Sequence, residues 1–259
     1  MLLKIHFPRR FPRDSEIPCK FSVAKTGNSL LFFVAIPAML IFISIVGAGC
    51  KSKPSAKPQD SPPKFIEKVA YIDGIGRRVE LPKRPVRIIS LAPNITETLY
   101  LLGAQDRLIG DTTQCTWPEE AKHKPKIGDL LNPNYEVILA ARPDLVLAST
   151  AGNDRGAVMK LTGLGLPVYV AAPRSVEKIF QSVEEIGRIT DCMQQGIQLV
   201  AQMKNRLEQV KARIAGLPPV RALFITWFDP LLAPGKNTFE NDVLLLAGVV
   251  SITVDIPQY

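Results

Sequence analysis

Residues and motifs that mark metal proteins and common enzymes are scarce in this chain of 259 residues. It has four cysteines and two histidines, without a Cys-x-x-Cys pair or a His pair at metal-ligand spacing. It also lacks Gly-x-Ser-x-Gly and a phosphate-binding loop, and Ser90 has no evident histidine partner. These absences argue against a hydrolase, a nucleotide-dependent enzyme and a zinc protein. We therefore expect no enzymatic activity, no metal and no cofactor.

The net charge of +8 is weak evidence for nucleic-acid binding. Residues 1–49 contribute half of the excess, and lysines of residues 51–64 contribute much of the remainder. Basic residues in a leader and a tether do not form a patch on a folded surface. We expect no nucleic-acid partner.

A long apolar run at residues 29–49 follows a basic segment and ends immediately before Cys50. The sequence Gly47-Ala-Gly before Cys50 resembles a bacterial lipoprotein signal, although Gly47 replaces the usual large aliphatic residue and the leader is long. An uncleaved transmembrane anchor is the alternative, because about 20 apolar residues span a bilayer. In both cases residues 1–49 meet the membrane, the Pro- and Lys-rich residues 50–64 form a tether, and the remainder lies outside the cytoplasm.

From residue 65 onward, short apolar runs alternate with helical patterns, which predicts an α/β fold with parallel sheets covered by helices. The predicted units are a first lobe at 65–191, an inter-lobe backbone helix at 192–215 and a second lobe at 216–259. The second lobe has only two clear strands, at 220–228 and 249–254. We therefore expect it to be incomplete.

The stretch around Pro93 predicts a binding edge. A buried strand at 86–91 ends there, and Asn94 and Glu97 fit a capping box at the start of the following helix. Ligands of open α/β sheets bind beyond the carboxyl ends of the strands, so Pro93, Asn94 and Thr96 are expected to face a ligand. The alternative is a well-capped helix without a binding role.

Two further features leave alternatives open. Trp117, in a polar loop, serves either packing or ligand stacking. An oxidising compartment would permit a disulfide between Cys115 and Cys192, although no spacing pattern supports one.

A short helix is predicted after Asn132. Val137, Ile138 and Ala141 are expected to face inward. Glu136 lies in its first turn, where a carboxylate stabilises the helix dipole.

Ordered blocks of the sequence resemble the substrate-binding proteins of cobalamin and ferric-siderophore ABC importers. They are RIISLAPNITETLYLLG, DTTQCTWPEEA, GDLLNPNYEVILAARPDLVLAS and PGKNTFENDVLLLAG, and the resemblance extends over residues 71–259. It implies two lobes joined by one rigid helix, little hinge closure, and a ligand held between the lobes. Together with the lipoprotein-like signal before Cys50, it predicts a lipid-anchored protein that delivers cobalamin, a ferric siderophore or haem to an ABC permease. We expect a monomer.

The resemblance also implies roles for single residues. Glu136 is similar to the first of two glutamates that dock onto permease arginines, and the second would lie beyond Tyr259. The positions that resemble the family's cleft are Asn94, Gln114, Leu130, the turn at 227–232 that begins with Trp227, and Tyr259. Gln114 and Leu130 replace aromatic residues of some cobalamin binders, whereas Trp227 and Tyr259 could stack on a flat ligand. The alternative function is a truncated, transport-incompetent anchored interaction domain.

Overall fold

A computed structural model describes residues 67–256 of the chain. The predicted membrane segment at 1–49, the lipidation site Cys50, the tether at 50–64 and Tyr259 lie outside the described residues. Among residues 67–256, no helix is both long and apolar enough to cross a bilayer.

An antiparallel hairpin opens the described chain, and strands then alternate with helices. The strands of residues 67–256 are β1 (Lys68–Ile72), β2 (Arg78–Pro82), β3 (Ile88–Ser90), β4 (Leu108–Gly110), β5 (Leu145–Ser149), β6 (Val168–Ala171), β7 (Val220–Ala222), β8 (Trp227–Phe228), β9 (Leu231–Leu232) and β10 (Val249–Ser251). The α-helices are α1 (Pro93–Leu101), α2 (Tyr135–Ala140), α3 (Arg155–Gly163), α4 (Val176–Ile189), α5 (Met193–Ile214) and α6 (Phe239–Leu246).

A four-stranded parallel sheet in the order β4-β3-β5-β6 forms the first lobe. Successive residues of a strand point to opposite faces of the sheet. On β5, Leu145 and Leu147 accordingly pack into one core with α1 and α4, while Val146 and Ala148 pack into another with α2 and α3. Every residue of β3, β5 and β6 is buried, as expected of a parallel sheet covered on both faces.

The β1–β2 hairpin covers the outer edge of β6. The Gly74 N–H donates to the Val170 carbonyl at 2.7 Å, and Arg77 Nη2 donates to the Val168 carbonyl at 3.2 Å. A Cβ atom at position 74 would lie 2.6 Å from the Ala172 nitrogen, so the close approach requires glycine. The hairpin thereby satisfies carbonyls that an open edge strand would leave unpaired.

Helices α4 and α5 pack closely and lead out of the first lobe. At their contact, a Cβ atom at Gly187 would lie 3.3 Å from the Gly196 Cα. Apolar residues Phe180, Val183 and Val200 form a core beside it. At 1.5 Å per residue, the 22 residues of α5 span about 33 Å, which agrees with the predicted inter-lobe helix.

The second lobe has a two-stranded parallel sheet of β7 and β10, against which α6 packs. The predicted strand at 220–228 is too long. Strand β7 ends at Ala222, and Trp227 and Phe228 form the separate strand β8. Strand β8 instead pairs with β9 in an antiparallel hairpin, Trp227 opposite Leu232. The second predicted strand is likewise shorter, since the chain turns after Ser251.

The predicted capping box at α1 is wrong. Ala92 is the N-cap and Pro93 the first helical residue, so Asn94 lies inside the helix. Proline is favoured at this position because it has no N–H to leave unpaired and its φ is already helical. At the other end, Gly103 follows the C-cap with φ +73°, as the sequence predicts for a glycine that ends a helix.

One open alternative is decided, and one expectation about α2 is corrected. Cys115 and Cys192 are both buried free thiols, so they form no disulfide. Val137 is 40% exposed, whereas Ile138 is fully buried. Of these two neighbours in the six-residue helix α2, only Ile138 lies on the side that packs into the core.

We predict that Gly74→Ala lowers the free energy of unfolding by about 1–3 kcal/mol, because the added methyl group collides with backbone of the β6 edge. Urea denaturation measures this change. The control is Gly163→Ala in α3, where an added Cβ meets nothing within 4 Å. It should be neutral or stabilise by up to about 1 kcal/mol. Equal stability of the Gly74→Ala variant and the native protein would contradict the proposed packing.

Candidate functional site

The carboxyl ends of β3 and β5 lie side by side, and a predicted ligand residue is found there. Asn94 Nδ2 donates to Ser149 Oγ at 3.2 Å, and the Ala151 N–H donates to the same oxygen, also at 3.2 Å. Ser149 is the last residue of β5 and is buried. Asn94 is therefore linked to the sheet while remaining exposed.

Asn153 joins three chain segments at this edge. Its Oδ1 accepts the Ser149 N–H at 2.8 Å, and its Nδ2 donates to the carbonyls of Leu91 (2.8 Å) and Leu130 (3.1 Å). The side chain thus connects the ends of β3 and β5 with the loop that precedes α2. A single amide fixes the relative positions of these segments.

Gln114 and Leu130, which lie in different loops, are brought together. Gln114 Oε1 accepts the Leu130 N–H at 3.0 Å, and the Leu130 side chain packs where a Cβ at Gly152 would lie, 2.9 Å away. We call Asn94, Gln114, Leu130, Ser149 and Asn153 the first-lobe surface.

The turn that presents Leu130 depends on one aspartate and one glycine. Asp129 Oδ1 accepts the N–H groups of Leu131 (2.8 Å) and Asn132 (2.6 Å). Hydrogen bonds from Asn132 and from the Leu131 N–H lower the pKa of the Asp129 carboxyl. Gly128 has φ +105°, and a Cβ there would lie 2.6 Å from the Asn132 oxygen.

A partly buried ion pair anchors the loop that carries Gln114. Lys126 Nζ lies 2.7 Å from Asp111 Oδ1 and also donates to the carbonyls of Cys115 and Ala121. Burial raises the pKa of the Asp111 carboxyl, while the hydrogen bond and the positive charge of Lys126 oppose that shift. The Lys126 ammonium group therefore holds both Asp111 and Ala121, the two ends of the loop that carries Gln114.

Pro93 and Thr96 differ in their access to this edge. Pro93, beside Asn94, is partly exposed. Thr96 is fully buried, with its hydroxyl 2.8 Å from Ser90 Oγ and 3.2 Å from Cys115 Sγ, so the expectation that it faces a ligand is wrong.

The two tryptophans present aromatic surface away from these hydrogen bonds. Trp117 is 54% and Trp227 57% exposed. The Trp227 indole donates to the Asp229 carbonyl at 2.8 Å, and its ring stacks on Phe228 at a centroid distance of 6.2 Å. Among residues 67–256, no hydrogen bond joins either tryptophan to the first-lobe surface.

A cavity of about 790 Å³ lies where the two lobes meet. We call it the junction cavity. Arg174 and Ser175 line it after β6, and Val254 and Asp255 line it after β10. The start of α6 supplies further lining residues. The loops after the carboxyl ends of strands from both sheets therefore meet here, which is where open α/β proteins bind their ligands.

A carboxylate of the second lobe caps a helix of the first. Asp242 Oδ2 accepts the N–H of Val176, the first residue of α4, at 2.6 Å. Ser175 Oγ accepts the Lys178 N–H at 3.2 Å, so two side chains serve this helix end. A negative charge at a helix N-terminus is favourable, and this contact holds α6 against α4.

Sequence reasoning missed Ser149, Asn153, Arg174 and Asn241. The Asn-Asp pair at 153–154 was an available signal, because both residue types favour turns and helix caps. Arg174 and Asn241 come to line the same cavity only when the lobes pack together.

Comparison with known proteins identifies the family. A model described as "Periplasmic binding protein" matches residues 88–258. The chain belongs to the periplasmic binding protein family. The uncharacterized ABC transporter substrate-binding lipoprotein YvrC of Bacillus subtilis (strain 168) is 33% identical over 215 residues, which are 80% of this chain and 68% of that protein.

Two vitamin B12-binding proteins are also similar to this periplasmic binding protein. The one from Vibrio vulnificus (strain YJ016) is 30% identical over 171 residues, or 66% of this chain and 63% of that protein. The crystal structure of BtuF from Vibrio cholerae matches with a TM-score of 0.62 and 27% identity, over 69% of this chain and 71% of that one. This chain thus spans less than two thirds of the Vibrio vulnificus relative's length. The structural match confirms the predicted α/β fold with two lobes.

We predict that Asn153→Asp destabilises this periplasmic binding protein by about 1–3 kcal/mol, because the carboxylate cannot donate to the Leu91 and Leu130 carbonyls. The matched control is Asn205→Asp on the exposed surface of α5, with an expected change within about 0.5 kcal/mol. Urea unfolding of both variants provides the comparison. Equal changes in the free energy of unfolding of the two variants would show that the hydrogen bonds of Asn153 to the three chain segments do not contribute to stability.

Proposed function

We propose that this chain is the substrate-binding component of an ABC importer, and that it captures cobalamin or a related metal chelate between its two lobes. The observation that carries the proposal is the meeting of loops from the carboxyl ends of both parallel sheets at one cavity. Family membership and the similarity to vitamin B12-binding proteins support it.

The first-lobe surface is suited to a ligand with both polar and flat apolar parts. Asn94 offers an exposed amide, and Pro93 and Leu130 offer apolar contact at the same edge. We assign Gln114, Trp117, Trp227 and Tyr259 to the ligand as well, with the aromatic residues stacking on its flat face. Tyr259 lies outside the described residues.

Glu136 is proposed to dock the loaded protein onto the permease. It is exposed in the first turn of α2, whose N-terminus is fixed by Asn134 Oδ1 accepting the Val137 N–H at 3.1 Å. This cap holds the glutamate on a rigid element, so an arginine of the partner would meet a preoriented carboxylate.

The cellular setting follows from the same proposal. A lipid on Cys50 would hold a monomeric, non-enzymatic receptor at the outer face of a membrane. Residues 50–64 would act as a tether that keeps the folded part away from the lipid surface. The lipoprotein description of YvrC supports this anchoring.

Isothermal titration calorimetry tests which metal chelate the protein binds. We expect cyanocobalamin to bind in a 1:1 complex at micromolar concentration or below. Haemin and a ferric siderophore, titrated in parallel, represent the other chelates. Binding of none of the three would contradict the proposed function.

We predict that Glu136→Arg leaves ligand affinity unchanged but lowers ligand-dependent ATPase stimulation of the reconstituted transporter at least about tenfold, because loss of a charge pair at an interface costs 2–5 kcal/mol. The control is Glu177→Arg, an exposed glutamate in the first turn of α4. It removes the same helix-dipole interaction elsewhere. Reduced ligand affinity in the Glu136→Arg variant, or equal stimulation by both variants, would refute the docking role.

A further inference from the structure

Residues 112–125 form a loop that carries two of the proposed ligand residues, Gln114 and Trp117. Its ends are held together by the backbone, since the Asp111 N–H donates to the Pro125 carbonyl at 3.0 Å. The backbone hydrogen bonds of residues 114–124 join positions three apart and so form local turns. The middle of the loop therefore depends on side chains for its position.

Lys126 joins the two arms of this loop. Its Nζ donates to the carbonyl of Cys115 (3.2 Å) in the first arm and to that of Ala121 (3.0 Å) in the second, and Trp117 lies between them in sequence. Its third contact is with Asp111 Oδ1 at 2.7 Å. An ammonium group has three hydrogens, and here three acceptors take them. Lys126 therefore has no hydrogen left for a ligand and can act on one only through the loop.

The ion pair within this arrangement is a poor device for stability alone. The Asp111 side chain is fully buried, and the Lys126 side chain is 29% exposed. Removing two charges from water offsets much of their attraction, so an apolar pair of similar volume often gives equal or greater stability. An apolar pair would supply no donor for the two loop carbonyls. The contribution particular to Lys126 is therefore the position of the loop.

The carbonyl of Cys115 lies next to both proposed ligand residues. Gln114 directly precedes Cys115, and its Oε1 accepts the Leu130 N–H at 3.0 Å. Trp117 follows Cys115 by two positions and is 54% exposed. A shift of this carbonyl therefore moves the amide of Gln114 and the indole of Trp117 together.

We propose that Lys126 is a positioning residue for the ligand. It holds Gln114 and Trp117 in one conformation and so raises ligand affinity without touching the ligand. A loop that is already ordered before the ligand arrives loses less conformational freedom on binding. The inference rests on the proposed function, in which both residues contact the ligand.

The test is the ligand affinity of a Lys126→Met variant, which keeps the aliphatic stem and loses the ammonium group. Calorimetry uses cyanocobalamin, or haemin or the ferric siderophore if the native protein binds one of those instead. We expect Kd to rise at least about tenfold, because the carbonyls of Cys115 and Ala121 lose their donor and the loop is then ordered only on binding.

The matched control is Lys124→Met, which removes another half-buried lysine two positions away. Lys124 Nζ donates to the carbonyl of Gln105 at 2.7 Å, and Gln105 precedes β4. This contact does not join the arms of the loop. The Kd of the control should stay within about threefold of the native value.

Two further variants separate positioning from stability. Lys126→Met leaves the Asp111 carboxylate unpaired, so the double variant Asp111→Asn/Lys126→Met, which has neither charge, is titrated beside it. Its Kd should also rise at least about tenfold. The Gly74→Ala variant is destabilised in the β1–β2 hairpin, and its Kd should equal the native value. Urea denaturation identifies the variants that are folded under the titration conditions.

Trp117 reports the conformation of the loop directly. The chain has two tryptophans, so in a Trp227→Phe background Trp117 is the single source of indole fluorescence. Time-resolved fluorescence anisotropy of the protein without ligand measures its nanosecond mobility. Lys126→Met should increase this mobility, whereas Lys124→Met and Gly74→Ala should leave it unchanged.

The outcomes separate the inference from the function on which it rests. If the folded Lys126 variants bind as tightly as the native protein, the positioning role is overturned and the receptor function stands. An equal loss of affinity in Lys124→Met or Gly74→Ala, or unchanged mobility of Trp117 in Lys126→Met, also overturns the positioning role alone. If the native protein binds none of the three chelates, the proposed function and this inference both fail.

Discussion

Burial of the first sheet on both faces is the constraint on which the rest of the structure depends. Strands β3, β5 and β6 have no exposed residue, so helices must cover both sides and every connection must cross over the sheet. All strands then end at the same edge. Polar loops accumulate there because the last peptide groups of buried strands need partners. Asn153 is the partner of two of them, the Ser149 N–H and the Leu91 carbonyl, and its third hydrogen bond goes to the Leu130 carbonyl in a loop.

The second constraint is the packing of α4, α5 and α6 between the lobes. Gly187 and Gly196 let α4 and α5 approach closely, and Asp242 connects α6 to the N-terminus of α4. Helix α6 forms one wall of the junction cavity, and the segment before α6 and the loops after β6 and β10 form the others.

The alternation of strands and helices could be predicted because buried parallel strands appear as short continuous apolar runs. The long helix could be predicted because an amphipathic helix repeats its apolar residues every three to four positions. The start of α1 was mispredicted, since Ala92 and Pro93 satisfy the helix end without the expected Asn94 cap. The strand at 220–228 was predicted too long because its apolar residues continue into a hairpin that remains exposed. Ser149 and Asn153 were not predicted, because their partners Asn94, Leu91 and Leu130 are distant in sequence and only tertiary packing brings them together.

The central claim is that ligand binds where the carboxyl edges of the two sheets meet. Amide hydrogen–deuterium exchange of the native protein, with and without cyanocobalamin, tests it most directly. The account predicts slower exchange on binding in residues 128–133, 149–153, 174–177 and 236–242, with little change in the β1–β2 hairpin. Protection confined to the hairpin, or to the exposed side of α5, would contradict it.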